Sequence, residues 1–167
     1  MALPRRRRHL FHHAPEGYRC PFCMFVRDEH NWIHHENDLV YQDELVTAFV
    51  APHWWPNNKG HVIIIPNDHY ENLYELPRLY LHRVHDIAQA IALTFKHVYR
   101  CHGVSTRQHN EPAGNQDVWH YHLHVFPRYD GDNLYLTRRS REVVPPEERR
   151  TYAEKLKRYL GENPPLE

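Results

Sequence analysis

The sequence lacks both a net charge and an apolar run long enough to cross a membrane. Lys plus Arg and Asp plus Glu each total 21 among the 167 residues, so no net field attracts nucleic acid at neutral pH. No stretch approaches the roughly 18 apolar residues that a membrane span requires, and no apolar core of a secretory signal follows the first residues. We therefore expect a cytoplasmic protein with no membrane partner, for which nucleic acid is an unfavoured ligand.

Cysteine is scarce as well, with three residues in the chain. Cys101 stands alone, whereas Cys20 and Cys23 form a Cys-x-x-Cys pair that suits a reducing compartment better than a disulfide framework. The pair alone is compatible with a metal site or with a glutaredoxin-like redox site. A redox site of that type needs a preceding strand and a long following helix, and residues 27–38 are too polar for such a helix. The sequence therefore favours a metal site over a redox site at this cysteine pair.

Histidine, by contrast, is abundant, with 17 residues. His120, His122 and His124 lie at alternate positions inside the apolar run 118–126. Successive side chains of a strand point to opposite faces, so the run predicts a strand with all three imidazoles on one face. The opposite face would belong to the core: Tyr121, Leu123 and Val125.

Imidazoles on such a strand are predicted to act separately. Adjacent rings would lie about 7 Å apart, and rings at that spacing cannot easily converge on one metal ion. We therefore expect one ring to bind metal, one to act as a nucleophile and one to contact phosphate. Imidazole attacks phosphorus readily at neutral pH and forms a labile adduct, which is the requirement for covalent catalysis. The middle ring, His122, is best placed for that role.

The apolar patterns predict a single α+β domain of antiparallel strands with a helix on one face. Strands are predicted at 39–41, 45–50, 61–65, 104–108 and 118–126. Apolar residues at steps of three or four predict a long helix that begins at Pro77 and is ended by Gly103. A final helix is predicted over about 145–160, with acidic residues at its N-terminus.

The N-terminal segment is predicted to lie outside this domain. Residues 1–17 contain the basic cluster Arg5–Arg8 and are interpreted as a flexible, solvated arm. Residues 18–167 are interpreted as one domain.

Three segments of the chain together resemble the histidine triad (HIT) nucleotide hydrolases and transferases. Segment 110–128 contains the pattern His-x-His-x-His followed by two apolar residues and a Pro-Arg pair. Segment 60–69 opens with Gly-His and ends its strand at a proline near a further histidine, as in the second signature of the family. Cys20-Pro-Phe-Cys23 resembles the zinc knuckle of bacterial members. The resemblance covers about residues 20–132.

The resemblance implies the family's fold, an antiparallel sheet with one long helix packed on it and a C-terminal helix, assembled as a homodimer. It implies that His122 is the nucleophile that takes the α-phosphorus of a nucleotide. His124 and His61 would contact the α-phosphate oxygens. Gln116 and Asn110 would hydrogen-bond phosphate or the bridging oxygen. It also implies one structural zinc ion per chain, bound by Cys20, Cys23, His69 and His120.

The activity implied by the resemblance is hydrolysis at the α-phosphate of dinucleoside polyphosphates or AMP-phosphoramidates through a nucleotidyl-histidine. Two alternatives within the same chemistry stay open: a phosphorylase or nucleotidyltransferase that uses phosphate as acceptor, and a nucleotide-binding module with little catalysis. A zinc-stabilised nucleic-acid binder that uses Arg5–Arg8 is a third, and it predicts a steep salt dependence of binding.

Two positions depart from the family pattern. Asp117 stands where many members carry Ser or Thr, proposed to help protonate the leaving group. Ala51 stands where members carry Asp or Asn to hold the ribose hydroxyls, and Asn57 or Asn58 could replace that side chain.

The loop around these asparagines also contains Trp54 and Trp55. The tryptophans could pack at the base of the loop or stack on a nucleotide base, and the sequence does not separate the two. His53 could approach the site from the same loop. The other histidines outside the motifs, His34 among them, are predicted to face solvent.

Overall fold

A five-stranded antiparallel sheet is the centre of the computed structural model, which describes residues 11–29, 34–137 and 140–165. The strands along the chain are β1 (Leu39–Gln42), β2 (Val46–Val50), β3 (His53–Trp54), β4 (Val62–Pro66), β5 (Gly103–Gln108), β6 (Leu123–Arg128) and β7 (Glu142–Val143). Their order in the sheet is β1-β2-β4-β6-β5, and every neighbouring pair is antiparallel. β3 and β7 pair with each other as a separate two-stranded ribbon.

Within the described residues, three α-helices accompany the sheet: α1 (Pro21–Val26), α2 (Arg78–Val98) and α3 (Pro146–Glu162). α2 lies on one face of the sheet and buries an apolar stripe spaced by three or four residues, which includes Val84, Ile87, Ile91 and Phe95. The architecture confirms the predicted α+β fold, with its long helix and its C-terminal helix. None of the helices in the described ranges is long and apolar enough to cross a bilayer.

The end of α2 differs from the prediction. The helix ends at Val98, and Arg100 takes the positive φ of 56° at which the chain turns. The Lys96 ammonium group donates to the carbonyls of Cys101 and His102 beyond the helix end. Gly103 instead begins β5, paired with Arg128. The expectation that Gly103 ends the helix is therefore wrong, because the chain has already turned at Arg100.

The described part of the N-terminal segment lies against the domain. The Phe11 ring contacts the Tyr74 ring edge-on with centroids 5.3 Å apart, and the backbone N–H groups of His13 and Ala14 donate to the Glu71 carboxylate. The cluster Arg5–Arg8 lies outside the described residues. The arm predicted for residues 1–17 stays a prediction, and the contacts above concern only the described part of that segment, residues 11–17.

Candidate active site

The three alternate histidines lie where β6 begins, and only the last of them belongs to the strand. β6 starts at Leu123 because the chain turns just before it: the His120 N–H donates to the Val118 carbonyl at 2.8 Å. The strand predicted for 118–126 is therefore shorter than expected. The prediction for its other face is confirmed, since three residues belong to the main core beneath α2: Tyr121, Leu123 and Val125.

His122 presents one ring nitrogen to a pocket. Its Nδ1 lies 2.8 Å from the His120 carbonyl oxygen, and a carbonyl can only accept, so Nδ1 carries the proton. The lone pair is therefore on Nε2, and this atom faces Asp117, whose side chain lines the pocket. The residue is 2% exposed, and burial lowers the pKa of its imidazole. His122 is thus a neutral, oriented imidazole with its reactive nitrogen directed at the pocket.

His61 and His124 line the same pocket with unpaired ring nitrogens. Both nitrogens of His61 and Nδ1 of His124 are buried and have no hydrogen-bond partner within the described ranges. The His61 ring stacks on Phe126 with centroids 4.3 Å apart, and the His124 ring lies 5.1 Å from that of His122. Burial lowers the pKa of His61 to about 3 and that of His124 well below its usual value. Unpaired buried nitrogens are costly and indicate a ligand site.

Asp117 and Arg141 stand at the mouth of the pocket. Asp117 Oδ1 lies 3.9 Å from Nε2 of His122, and Asp117 Oδ2 lies 3.7 Å from Nη1 of Arg141. No pattern in the sequence pointed to Arg141, which lies far from every motif and reaches the pocket because β7 pairs with β3. The pairing also places His53 in the pocket lining, as expected for that loop.

His34 is a second residue that sequence reasoning missed. It was expected to face solvent, but it is buried at 7% exposure and lines the pocket. Its ring packs edge-on against Phe22 and Phe49, and burial lowers its pKa to about 3. The expectation is wrong because the described segment that leads into β1, residues 34–38, brings this histidine inward over the site.

The two tryptophans of the loop have different environments. Trp54 packs in the core beside Tyr152, and its indole N–H donates to the Ala51 carbonyl at 2.7 Å. Trp55 lines the pocket with its ring 5.4 Å from that of His61. Packing therefore explains Trp54, whereas Trp55 is a surface of the pocket.

The predicted substitutes for the ribose-binding side chain do not reach the pocket. Ala51 lines it without a polar side chain. Asn58 donates to the Pro127 carbonyl and to the Asp132 carboxylate, each at 2.8 Å, and Asn57 donates to the Asp132 backbone. Both asparagines hold the turn after β6, so neither replaces the side chain that Ala51 lacks.

Gln116 and Asn110 bond to protein groups. The Gln116 amide donates to the carbonyls of Glu71 and Val118, and its oxygen accepts from the Glu111 N–H at 2.8 Å. The Asn110 oxygen accepts from the Leu73 N–H at 2.8 Å. The structure therefore brings His122, His124 and His61 together at the pocket, while both amides fix the loop that leads to them.

A cluster of two thiols and two imidazoles lies beside the pocket. The ligand atoms of Cys20, Cys23, His69 and His120 all lie within 4.8 Å of one another. The thiol–imidazole distances are 3.4 Å from Cys20 to His120, 3.2 Å from Cys23 to His69 and 3.5 Å from Cys23 to His120. Tetrahedral zinc, with bonds of about 2.0–2.3 Å, separates its ligands by roughly 3.3–3.8 Å. The Nε2–H of His120 donates to the Pro66 carbonyl at 2.9 Å, which fixes Nδ1 as the ligand atom. The donor set fits zinc.

Two relatives are enzymes by name. The chain is 25% identical to an adenylylsulfatase of Arabidopsis thaliana over 71% of this chain and 56% of that one. It is 29% identical to the AP-4-A phosphorylase of Mycobacterium tuberculosis over 61% of this chain and 52% of that one.

Sequence families and solved structures show which protein family the chain resembles. Residues 34–131 match the HIT domain. A Bacillus subtilis protein named "Protein hit" is 40% identical to this chain, over 66% of this chain and 71% of that one. The structure of a zinc-bound histidine triad family protein from Mycobacterium smegmatis matches with a TM-score of 0.70 and 26% identity, covering 86% of this chain and 94% of that one. The chain therefore belongs to the HIT domain family.

Proposed function

We propose that the protein is a nucleotide hydrolase that acts at the α-phosphate of dinucleoside polyphosphates or nucleoside phosphoramidates. The observation that carries the proposal is the orientation of His122. Its Nδ1–H donates to the His120 carbonyl, so the lone pair of Nε2 faces the pocket. An oriented, neutral imidazole at the base of a pocket is the arrangement that nucleophilic attack on phosphorus requires.

The proposed reaction has two displacements. In the first, the Nε2 lone pair of His122 forms a bond to the α-phosphorus, and the bond from phosphorus to the leaving oxygen or nitrogen breaks. The leaving group takes the electron pair and a proton from solvent. In the second, a water oxygen attacks the phosphorus of the nucleotidyl-histidine, the N–P bond breaks, and the proton of the water is released. The products are a nucleoside monophosphate and the protonated leaving group.

His61 and His124 supply the electrostatic part of the proposal. Their buried, unpartnered nitrogens border the same pocket. N–H groups that are preorganised in a dry site stabilise charge that develops on phosphate oxygens during the displacement. Gln116 and Asn110 were expected to bind phosphate directly, and that role stays a prediction; their hydrogen bonds support a positioning role for the loop.

A second candidate replaces water by phosphate in the second displacement. The relation to the AP-4-A phosphorylase of Mycobacterium tuberculosis supports it. Such an enzyme would release a nucleoside diphosphate in place of a monophosphate, so product analysis separates the two.

We also propose that the cluster of Cys20, Cys23, His69 and His120 binds one structural zinc ion per chain. Four protein ligands leave no open coordination position for water or substrate, which is typical of structural zinc. The zinc-bound relative supports the assignment. The homodimer implied by the family resemblance remains a prediction.

Rapid quenching tests the covalent step. During turnover of diadenosine tetraphosphate or an AMP-phosphoramidate, intact-mass analysis is expected to find the chain with one added AMP, located at His122. His122→Ala should lose this adduct and lower kcat by at least about 10³-fold. The exposed His102→Ala is the matched control and should change neither. An unmodified chain under turnover, or normal turnover by His122→Ala, contradicts the proposal. Repeating the assay with inorganic phosphate decides between the two acceptors.

A further inference from the structure

Arg141 reaches the pocket from a segment that lies beyond the residues matched to the HIT domain, 34–131. The ribbon of β3 and β7 holds it there: Val143 pairs with His53, and the Val144 N–H donates to the Pro52 carbonyl at 2.9 Å. The guanidinium group also lies 5.9 Å from the Trp55 ring centroid. Backbone pairing and a ring contact therefore place this cation over the pocket.

Arg141 is the one permanent cation among the described residues that line the pocket, and Asp117 is the one carboxylate. The other ionisable groups of the lining are histidines, which burial keeps neutral at His34 and His61. A site for a polyanion needs positive charge. Within the lining, Asp117 compensates the charge of Arg141, so the lining gains positive charge for a phosphate when the carboxylate moves away.

The Asp117 carboxylate lies where a reacting phosphate would lie. Its Oδ1 is 3.9 Å from Nε2 of His122, and a near-attack arrangement requires the reacting atoms to be about 3–3.5 Å apart. The two groups therefore exclude each other. The Asp117 side chain is 56% exposed, so rotation into solvent is open to it. Its ion pair with Arg141 is long and exposed, and such pairs are weak.

The Asp117 carboxylate bridges the two groups, with one oxygen 3.9 Å from Nε2 of His122 and the other 3.7 Å from Nη1 of Arg141. A phosphate group in the place of the carboxylate would have Nε2 of His122 and the Arg141 guanidinium as neighbours. In an in-line displacement the leaving group departs away from Nε2, so the further phosphates of a polyphosphate would extend toward the mouth of the pocket, where Arg141 lies. A guanidinium group binds phosphate oxygens in a bidentate manner and more strongly than an exposed carboxylate at this distance.

We propose that Arg141 binds the phosphates beyond the reacting one, and that Asp117 holds Arg141 over His122 until a polyphosphate displaces the carboxylate. The inference rests on the proposed function and adds a preference to it: substrates whose leaving group is a phosphate chain are favoured over phosphoramidates. Asp117 acts against binding and Arg141 acts for it.

Binding measurements by calorimetry test the inference, with His122→Ala as the common background so that ligands are not consumed. The probes are AMP, which has no phosphate beyond the reacting one, and adenosine 5′-tetraphosphate. Arg141→Gln should weaken tetraphosphate binding at least about tenfold, the loss of a charge-assisted contact, and change AMP binding less than about twofold. Asp117→Asn should strengthen tetraphosphate binding, and this gain should disappear when Arg141→Gln is also present.

Matched controls are Arg150→Gln and Asp130→Asn, which remove exposed charges elsewhere and should leave both affinities unchanged. Equal weakening of AMP and tetraphosphate by Arg141→Gln, or no effect of either pocket variant on tetraphosphate, overturns the inference and leaves the hydrolase proposal intact. Failure of the background protein to bind either nucleotide overturns the hydrolase proposal and the inference with it.

Discussion

The histidines of the site differ in which ring nitrogen has a hydrogen-bond partner in the protein. His120 donates from Nε2 to the Pro66 carbonyl, which leaves Nδ1 for the thiol cluster. His122 has the opposite arrangement, with Nδ1 on a carbonyl and Nε2 at the pocket. His61 has no partner for either nitrogen within the described part of the chain. The tautomers of His120 and His122, and with them the chemistry available to each of these rings, follow from these contacts.

Gly60 is the residue whose small size positions His61. It has a φ of +71°, and a Cβ there would lie 2.3 Å from Cδ1 of Tyr152 and 2.7 Å from the Tyr99 hydroxyl. Gly131 has a similar φ of +76°, and a Cβ added to it would meet nothing within 4 Å, which makes it a matched control. Gly131→Ala should cost only the left-handed strain, about 1–2 kcal/mol. Gly60→Ala should cost about 1–3 kcal/mol more, because the added methyl group overpacks the contact with the two tyrosines.

Urea unfolding of both variants measures these costs. The difference between the two free energies of unfolding isolates the steric contact from the backbone strain. If the two variants are equally stable, the close packing of Tyr99 and Tyr152 on Gly60 does not constrain the loop before His61.

Helices and strands were predictable wherever one pattern governed a whole element. The apolar spacing of α2 predicted its buried face, and the β-branched run after His61 predicted β4 to within one residue. β6 was overestimated because the apolar run 118–126 contains a turn that alternation does not reveal. β3 and β7 were not predicted, since strands of two residues carry no periodicity.

A buried ion pair joins α3 to the turn before β1. Arg149 Nε lies 2.8 Å from Asp38 Oδ1, with side-chain exposures of 2% and 0%. Arg149→Met should lower the free energy of unfolding by about 3–5 kcal/mol, because it leaves a buried carboxylate without its cation. Adding Asp38→Asn should restore part of the loss, because an amide has no charge and its oxygen can still accept from the His35 N–H.

Chemical denaturation measures this effect, and Arg150→Met is the control. Arg150 forms an exposed pair with Glu154 on the same helix, with side-chain exposures of 54% and 69%. Its loss should change stability by less than about 1 kcal/mol. A double variant no more stable than Arg149→Met alone contradicts the explanation by an unpaired charge.

The thiol–imidazole cluster connects parts of the molecule that are distant along the chain. Cys20 and Cys23 lie at α1, His69 follows β4, and His120 precedes β6. Because a bound ion stabilises only the folded state, zinc should raise the melting temperature of the whole domain. We expect about one zinc ion per purified chain. A chelator should lower the melting temperature, and the domain should still unfold in one transition.

Metal analysis and thermal unfolding check this expectation. The double variant Cys20→Ser Cys23→Ser should lose the metal and the response to chelator. Cys101→Ser, at a buried cysteine outside the cluster, should retain both. A purified wild-type chain without metal, whose melting temperature no added zinc changes, rules out the structural zinc site.

At the scale of the whole molecule, the motifs predicted the histidines at the centre of the site but not the other residues that line the pocket. The alternate histidines and the Gly-His segment predicted that His61, His122 and His124 would be functional, and all three line one pocket. His34 and Arg141 line it as well. Neither has a motif, because each arrives through tertiary packing of a separate segment. Tertiary packing also directs Asn57 and Asn58 to the turn after β6, so the sequence could not show that they stay out of the pocket.

His120 serves two neighbouring sites through different atoms. Its ring belongs to the thiol cluster, and its backbone carbonyl holds the proton-bearing nitrogen of His122. If the loss of a cluster thiol displaced His120, the carbonyl that accepts the Nδ1 proton of His122 would move with it. Under the proposed function, loss of the cluster would therefore lower turnover even though the side chains that line the pocket are chemically unchanged.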